Sequence, residues 1–272
     1  MITSISARVE RREQVTPVHV LLRVHAPEIA ADAQPGQFVH LRASEAYDPL
    51  LRRPFSVMRT EAATGALDLL IQVVGRGSRL VADAVTGATF DLLGPLGVGF
   101  PLPPPGTPVS LVAGGVGVAP LIFLAEALSS AASPYEITGL FGARTAEFLC
   151  CWTEFAGRCT RFTAVTEDGS TGQQGLVTDF LAQHLAAQAS RRVLPTVYAC
   201  GPLPMLAAVA HLCSEHEVTA FVSLERWMGC GVGACLGCVV PSARAEGPRY
   251  VRVCKDGPVF LAGDLDWQAM PE

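Results

Sequence analysis

Over the first hundred residues, short runs of branched and aromatic residues alternate with proline and glycine turns. Val18–Val24, Gln37–Arg42, Phe55–Arg59 and Leu67–Val74 are such runs. Their length and spacing predict an all-β unit, closed as a small antiparallel barrel. Pro101-Leu102-Pro103-Pro104-Pro105-Gly106 follows, a stiff linker that predicts a domain boundary. From Val109 the pattern changes. Val109–Ala113 reads as a buried strand, followed by a glycine loop and a helix from about Pro120 to Ser129. Ile137–Phe141, Phe162–Thr166 and Thr196–Cys200 read as further strands, with helices over Val177–Gln188 and from Leu203 to about His216. Strands alternating with helices predict a parallel sheet with right-handed crossovers. The predicted fold class is β + α/β: an antiparallel β-barrel over 1–100, a Rossmann-like parallel-sheet domain over 101–220, and a small C-terminal subdomain over 221–272, after the run Phe221–Leu224.

Composition adjusts this picture in two places. No charge occurs between Asp91 and Glu126, a stretch longer than a membrane span needs. Seven prolines and seven glycines interrupt it, so it is not one helix and no membrane span is expected. The 272 residues carry a net charge of −5, with basic residues scattered. No run of them tracks a phosphate backbone, so nucleic-acid binding is not expected. The N-terminus lacks the apolar core of a signal peptide, and a cytoplasmic location, where nine cysteines stay reduced, is the expectation.

The cysteines carry the candidate chemistry. Cys230, Cys235 and Cys238 are spaced C-x4-C-x2-C, and fifteen residues separate Cys238 from Cys254. That is the plant-type arrangement of four thiolates around a [2Fe–2S] cluster. Gly229, Gly231, Gly233 and Gly237 give the loop backbone freedom and room for N–H groups to face sulfur. The alternatives are a structural zinc site, which ordinarily shows two separated pairs where this chain has one, or plain buried thiols. Cys150, Cys151, Cys159 and Cys213 have no cluster spacing and read as structural thiols.

Four further motifs are weaker alone. Arg53-Pro54-Phe55-Ser56 opens a barrel strand with a guanidinium and a hydroxyl suited to phosphate. Gly75-Arg76-Gly77-Ser78 is a turn whose backbone N–H groups suit a pyrophosphate, with a helix starting at about Arg79. Gly114-Gly115-Val116-Gly117-Val118-Ala119-Pro120 follows a buried strand and opens a helix, a context for a dinucleotide. It is neither G-x-G-x-x-G nor a Walker loop. Cys200-Gly201-Pro202 closes another strand, where a thiol can pack against a nicotinamide or simply fill the core.

In this order, the motifs resemble the ferredoxin–NADP⁺ reductase superfamily. The run Ser223-Leu224-Glu225-Arg226-Trp227-Met228-Gly229-Cys230 and the cysteines after it are similar to one branch, the electron-transfer subunits of dihydroorotate dehydrogenase B. The resemblance implies FAD held by Arg53, Pro54, Phe55 and Ser56, with Leu70, Ile71 and Gln72 beside the flavin and Gly77 and Ser78 on its pyrophosphate. It implies NAD at Gly114, Gly115, Gly117 and Arg144 beside Cys200, and a cluster on Cys230, Cys235, Cys238 and Cys254. Ser78 replaces a usual threonine and Phe55 a frequent tyrosine or aliphatic. The implied activity is a relay: dihydroorotate is oxidised on an FMN-containing catalytic subunit, and electrons pass through cluster and FAD to NAD⁺, in a heterotetramer serving pyrimidine synthesis. Related flavin and iron–sulfur reductase subunits of sulfide dehydrogenase/ferredoxin:NADP⁺ oxidoreductase, hydrogenase or sulfite reductase complexes share the layout and remain the alternative. So do a redox sensor and a zinc-binding structural subunit.

Overall fold

A computed structural model describes residues 2–190 and 194–271. Six strands make the N-terminal unit: β1 (Thr3–Thr16), β2 (His19–His25), β3 (Phe38–Arg42), β4 (Arg53–Glu61), β5 (Ala66–Gln72) and β6 (Thr89–Leu96). They close as an antiparallel barrel in the order β1-β2-β5-β4-β3-β6. The four predicted runs fall on β2 to β5. Alternation turns Val9, Leu22, Val39, Leu41, Val57, Leu69 and Leu92 inward, all with no exposed surface. Each such side chain contributes about 1.5–3 kcal/mol on burial. Two short helices decorate the barrel, α1 (Pro27–Asp32) and α2 (Arg76–Ala82). The second was predicted at about Arg79; it starts at Arg76 because Gly75 is extended and the Ser78 hydroxyl closes its first turn.

The second unit carries β7 (Val109–Gly114), a 3₁₀ turn (Gly115–Gly117), α3 (Val118–Ser129), β8 (Ile137–Ala143), α4 (Trp152–Ala156), β9 (Arg161–Thr166) and β10 (Gln173–Gln174). Then follow α5 (Val177–Ser190), β11 (Thr196–Cys200), α6 (Leu203–Glu215) and β12 (Ala220–Ser223). The C-terminal segment adds β13 (Val239–Pro241), β14 (Tyr250–Arg252) and β15 (Val259–Leu261). One sheet runs β10-β9-β8-β7-β11-β12-β15. Its first six strands pair in parallel, as predicted. The last, β15, lies antiparallel on β12, so the sheet is mixed at this edge. Among the described residues no helix is long and apolar enough to cross a membrane.

The units share their cores. Met58, Leu70 and Phe100 of the N-terminal unit pack with Val109, Leu111 and the helix residues Val118, Leu121 and Ile122. Arg59 on β4 bridges to Glu126 of α3 at 3.7 Å and to Glu154 of α4, while also meeting buried Asp68 at 3.4 Å. The Tyr198 hydroxyl donates to the Pro101 carbonyl at 2.8 Å, fixing the linker to the sheet. On the other side, Phe38 and Leu96 enter one apolar core with Cys238, Val240, Val251, Val253 and Cys254. The outer face of β3 is therefore covered by the cysteine-bearing segment rather than by water.

Candidate functional site

The two phosphate-type motifs of the barrel meet. A Cβ on Gly77 would lie 2.6 Å from Arg53 Nε, so the missing side chain is what lets the guanidinium lie against this turn. Arg53 Nη1 is anchored by donating to the Leu51 carbonyl at 2.6 Å. The neighbouring Arg52 is committed elsewhere, to the Asp91 carbonyl at 2.8 Å and to the Asp91 carboxylate. Arg53 is thus the guanidinium left at the turn, and with the adjoining backbone it fits a flavin dinucleotide phosphate. Ser78 also shapes the turn through its hydroxyl. Its hydroxyl accepts from the Val74 and Gly75 N–H groups at 2.9 and 3.1 Å and donates to the Gly75 carbonyl, so it builds the turn. Pro54, Phe55 and Ser56 are half-buried on β4. Leu70 and Ile71 are buried in the two flanking cores, leaving Gln72 half-exposed at the strand end.

The nucleotide-type loops also converge. Strand β7 is followed by a crossover to β8 on one side, whereas β11 lies on its other side, which makes the gap between them the switch point of the sheet. A Cβ on Gly117 would fall 2.4 Å from the Cys200 carbonyl oxygen, and one on Gly114 2.7 Å from Pro202 Cδ. Gly115 has φ +53 and open space where a Cβ would stand, so bare backbone is accessible at the start of α3. Cys200 ends β11 in this place, fully buried, and burial pushes its thiol up, so it offers packing rather than proton transfer. Arg144 follows β8, its guanidinium 5.1 Å from the Phe148 ring centroid. A cavity of about 540 Å³ lined by Arg11, Glu13, Arg59, Cys151, Trp152 and Glu154 shares no residue with these motifs.

The cysteine loop is built from left-handed turns at Gly231, Gly233 and Leu236. Cys238 and Cys254 are buried; Cys235 is exposed and Cys230 half-exposed. Backbone N–H groups of Val232, Ala234 and Cys235 point at Cys230 Sγ from 3.5, 3.3 and 3.4 Å. Gly233 N–H points at Cys254 Sγ from 3.2 Å, and Cys254 N–H at Cys238 Sγ from 3.4 Å. Burial opposes ionisation of Cys230, but those three N–H groups and the Cys235 thiol outweigh it and bring the thiol down to about 6. Burial, then the neighbouring Cys238, pushes Cys254 up. Arg252, paired with Asp256 at 2.9 Å, donates to the Gly233 carbonyl and holds the loop to β14. Among the described residues no group of three His, Cys, Asp or Glu forms a closed metal cage. The donor set fits iron nonetheless, since four thiols and inward N–H groups are what a cluster's sulfurs require. Sequence reasoning missed His40, a buried imidazole on β3 that touches this loop at Gly231; its only signal was a histidine inside an apolar strand.

Comparison with known proteins agrees with these parts. The model of an oxidoreductase FAD-binding domain matches residues 6–99, and that of an oxidoreductase NAD-binding domain residues 111–211. The iron-sulfur cluster binding domain of dihydroorotate dehydrogenase B matches residues 225–266. Among solved structures, an NADH-dependent reduced ferredoxin-NADP oxidoreductase superposes with a TM-score of 0.84 at 28% identity, covering 98% of this chain and 91% of that one. A ferredoxin NADP⁺ reductase from Neisseria gonorrhoeae shares the fold at 20% identity and a TM-score of 0.65, covering 78% and 91%. A dihydroorotate dehydrogenase B (NAD⁺) electron transfer subunit from Desulforamulus reducens is 38% identical over 93% of this chain and 95% of its own. That of Bacillus caldolyticus is 41% identical over 85% and 86%, and that of Lysinibacillus sphaericus 36% over 97% and 99%. By the whole-length likeness to these relatives, the chain belongs to the family of dihydroorotate dehydrogenase B electron transfer subunits.

Proposed function

We propose that the chain relays electrons from dihydroorotate, oxidised on an FMN-containing catalytic partner, to NAD⁺ in the cytoplasm. A heterotetramer of two copies of each subunit is the assembly this reading expects. The observation that carries it is the shared core of barrel and cysteine segment, in which Phe38 and Leu96 pack with Cys238 and Cys254. It sets the four-thiol loop directly on the barrel that bears the flavin motifs. A [2Fe–2S] cluster held here would supply one-electron transfer and FAD one- or two-electron transfer, the chemistry needed to link single-electron steps to a two-electron nicotinamide.

The chain's own residues have the following parts. Cys230, Cys235, Cys238 and Cys254 hold the cluster as thiolates. Arg53 and the backbone at Gly77 hold the FAD pyrophosphate; Pro54, Phe55, Ser56 and the Leu70–Gln72 backbone border the flavin, and Ser78 shapes the turn. Gly114, Gly115 and Gly117 admit the NAD pyrophosphate to the start of α3, Arg144 meets its adenosine half, and Cys200 backs the nicotinamide. The half-exposed Cys230 and exposed Cys235 would make this end of the loop the part accessible to the partner.

The test is co-expression with an FMN dihydroorotate dehydrogenase from the same genome, followed by assay of dihydroorotate-dependent NAD⁺ reduction. Activity needing both chains and lost in Cys235→Ser, with FAD still bound, is the expected result. A second reading follows from the 0.84 superposition on the ferredoxin-NADP oxidoreductase: the same module in another flavin and iron–sulfur complex. Failure of the pair to associate, with NADH reducing ferredoxin instead, would favour it.

A further inference from the structure

The cysteine loop meets the barrel at one buried side chain, His40. His40 has no exposed surface, yet neither ring nitrogen makes a hydrogen bond. Among the described residues it is the one side chain with two such orphaned atoms. Buried polar groups are nearly always paired, so each exception asks for a reason. Its position supplies one. Strand β3 sends Val39 and Leu41 into the barrel, so His40 faces outward, opposite Pro54 of the flavin-type motif on β4. There the ring runs into the loop. A Cβ on Gly231, whose φ is +72, would lie 2.6 Å from Nδ1. The Cys230 peptide carbonyl from the loop and the Arg52 carbonyl from the barrel both stand beside the ring, each short of hydrogen-bond geometry.

We propose that His40 is the positioning residue that seats the Cys230–Gly231 end of the cluster loop on the flavin-bearing strand and so sets the reduction potential of the cluster. The inference rests on the four-thiol reading above. An imidazole N–H given to the Cys230 carbonyl fixes the peptide from which the following loop turns back. That loop's N–H groups, at Val232, Ala234 and Cys235, are the ones that face Cys230 Sγ. Donors to a ligating sulfur favour the reduced, more negative cluster and raise its potential. Loosening them lowers the potential and moves the shared electron toward the flavin.

The experiment compares the full chain, loaded with FAD and cluster, with its His40→Phe and His40→Gln variants. Phenylalanine keeps the bulk and removes the N–H; glutamine returns a donor. Iron, labile sulfide and flavin are counted first, and the reduced cluster's EPR spectrum and a redox titration follow. We expect full loading in all three, an altered spectrum in His40→Phe, and a shift of about tenfold in the electron's distribution toward flavin, which is about 59 mV for one electron. His40→Gln should recover most of it. A fully loaded His40→Phe chain with the wild-type potential and spectrum overturns the proposal. If His40→Phe does not load, Gly231→Ala supplies the same displacement from the loop side, and an unmoved potential there overturns it equally. A wild-type chain that holds no iron sinks the four-thiol reading itself, and this proposal with it.

Discussion

Single side chains in this protein are set by what faces them. Cys230 and Cys254 have the same chemistry and opposite surroundings: three N–H groups bring the first down to about 6, while burial raises the second. A thiol with a lowered folded pKa is protonated below that value and ionised above it, whereas an ordinary thiol ionises only near 9.0. In the cluster-free chain, alkylation of Cys230 should therefore rise through pH 6 and be well advanced by neutrality, with Cys254 unreacted. Peptide mapping after timed iodoacetamide treatment reads this directly. Unfolding should return Cys230 to the ordinary range, and identical profiles in folded and unfolded chain would mean that the N–H cage is not formed. Gly77 makes the complementary argument from space. Its added methyl would sit 2.6 Å from Arg53 Nε, and the long arginine can swing away at little cost to folding. Gly77→Ala should thus leave the melting temperature of the flavin-free chain unchanged and weaken FAD by about tenfold or more, roughly one lost charge-assisted contact. Fluorescence titration with FAD checks it.

At the scale of elements, the loops matter more than the strands that carry them. Gly117 touches backbone rather than a side chain: its Cβ would lie 2.4 Å from the Cys200 carbonyl oxygen, which cannot swing aside. Gly117→Ala should push the start of α3 away from the end of β11 and slow NADH reduction of bound flavin by about a hundredfold, in line with a misplacement near 1 Å. Photoreduction of the same flavin should be unaffected, and stopped-flow traces at 450 nm would separate the two. The strands themselves were legible wherever apolar residues are continuous or alternate, as in β5, β7 and β11. Strand β1 was not, because T-S-I-S-A-R-V-E-R-R-E-Q-V-T carries charge on its exposed positions and only Ala7 and Val9 are buried along it. Strand β6 was hidden by Gly94-Pro95, which reads as a turn but lies inside the strand. The cysteine ligand set was legible because its spacing is local. The contact of Gly231 with His40 was not, since nothing near either residue in sequence announces the other.

For the whole molecule, the question is how a module whose cysteine loop packs on the outside of its barrel meets a donor. The loop's outward side is apolar. Trp227 is 93% exposed, Leu236 61% and Val232 40%, on either side of Cys230 and Cys235. Met228, next to Trp227, is buried and anchors the same turn. An exposed tryptophan beside a rigid loop is the kind of side chain that carries binding energy when a partner covers it. On the proposed relay it also lies beside the point where an electron would leave or enter, so one surface would both bind and conduct. Trp227→Asp and Leu236→Asp place charge there without replacing a cysteine or a core residue, and aspartate is tolerated in the left-handed turn at Leu236. Each should weaken association with the FMN-containing subunit by at least about tenfold. Iron, labile sulfide and FAD should stay at wild-type levels, as should NADH reduction of an artificial dye. The decisive pattern is the split: dihydroorotate-dependent NAD⁺ reduction falls with subunit association, measured by analytical ultracentrifugation, and recovers when the partner is raised in excess. Wild-type affinity in both variants would place the partner on another face, and the relay would then need a route that does not pass the exposed side of Cys235.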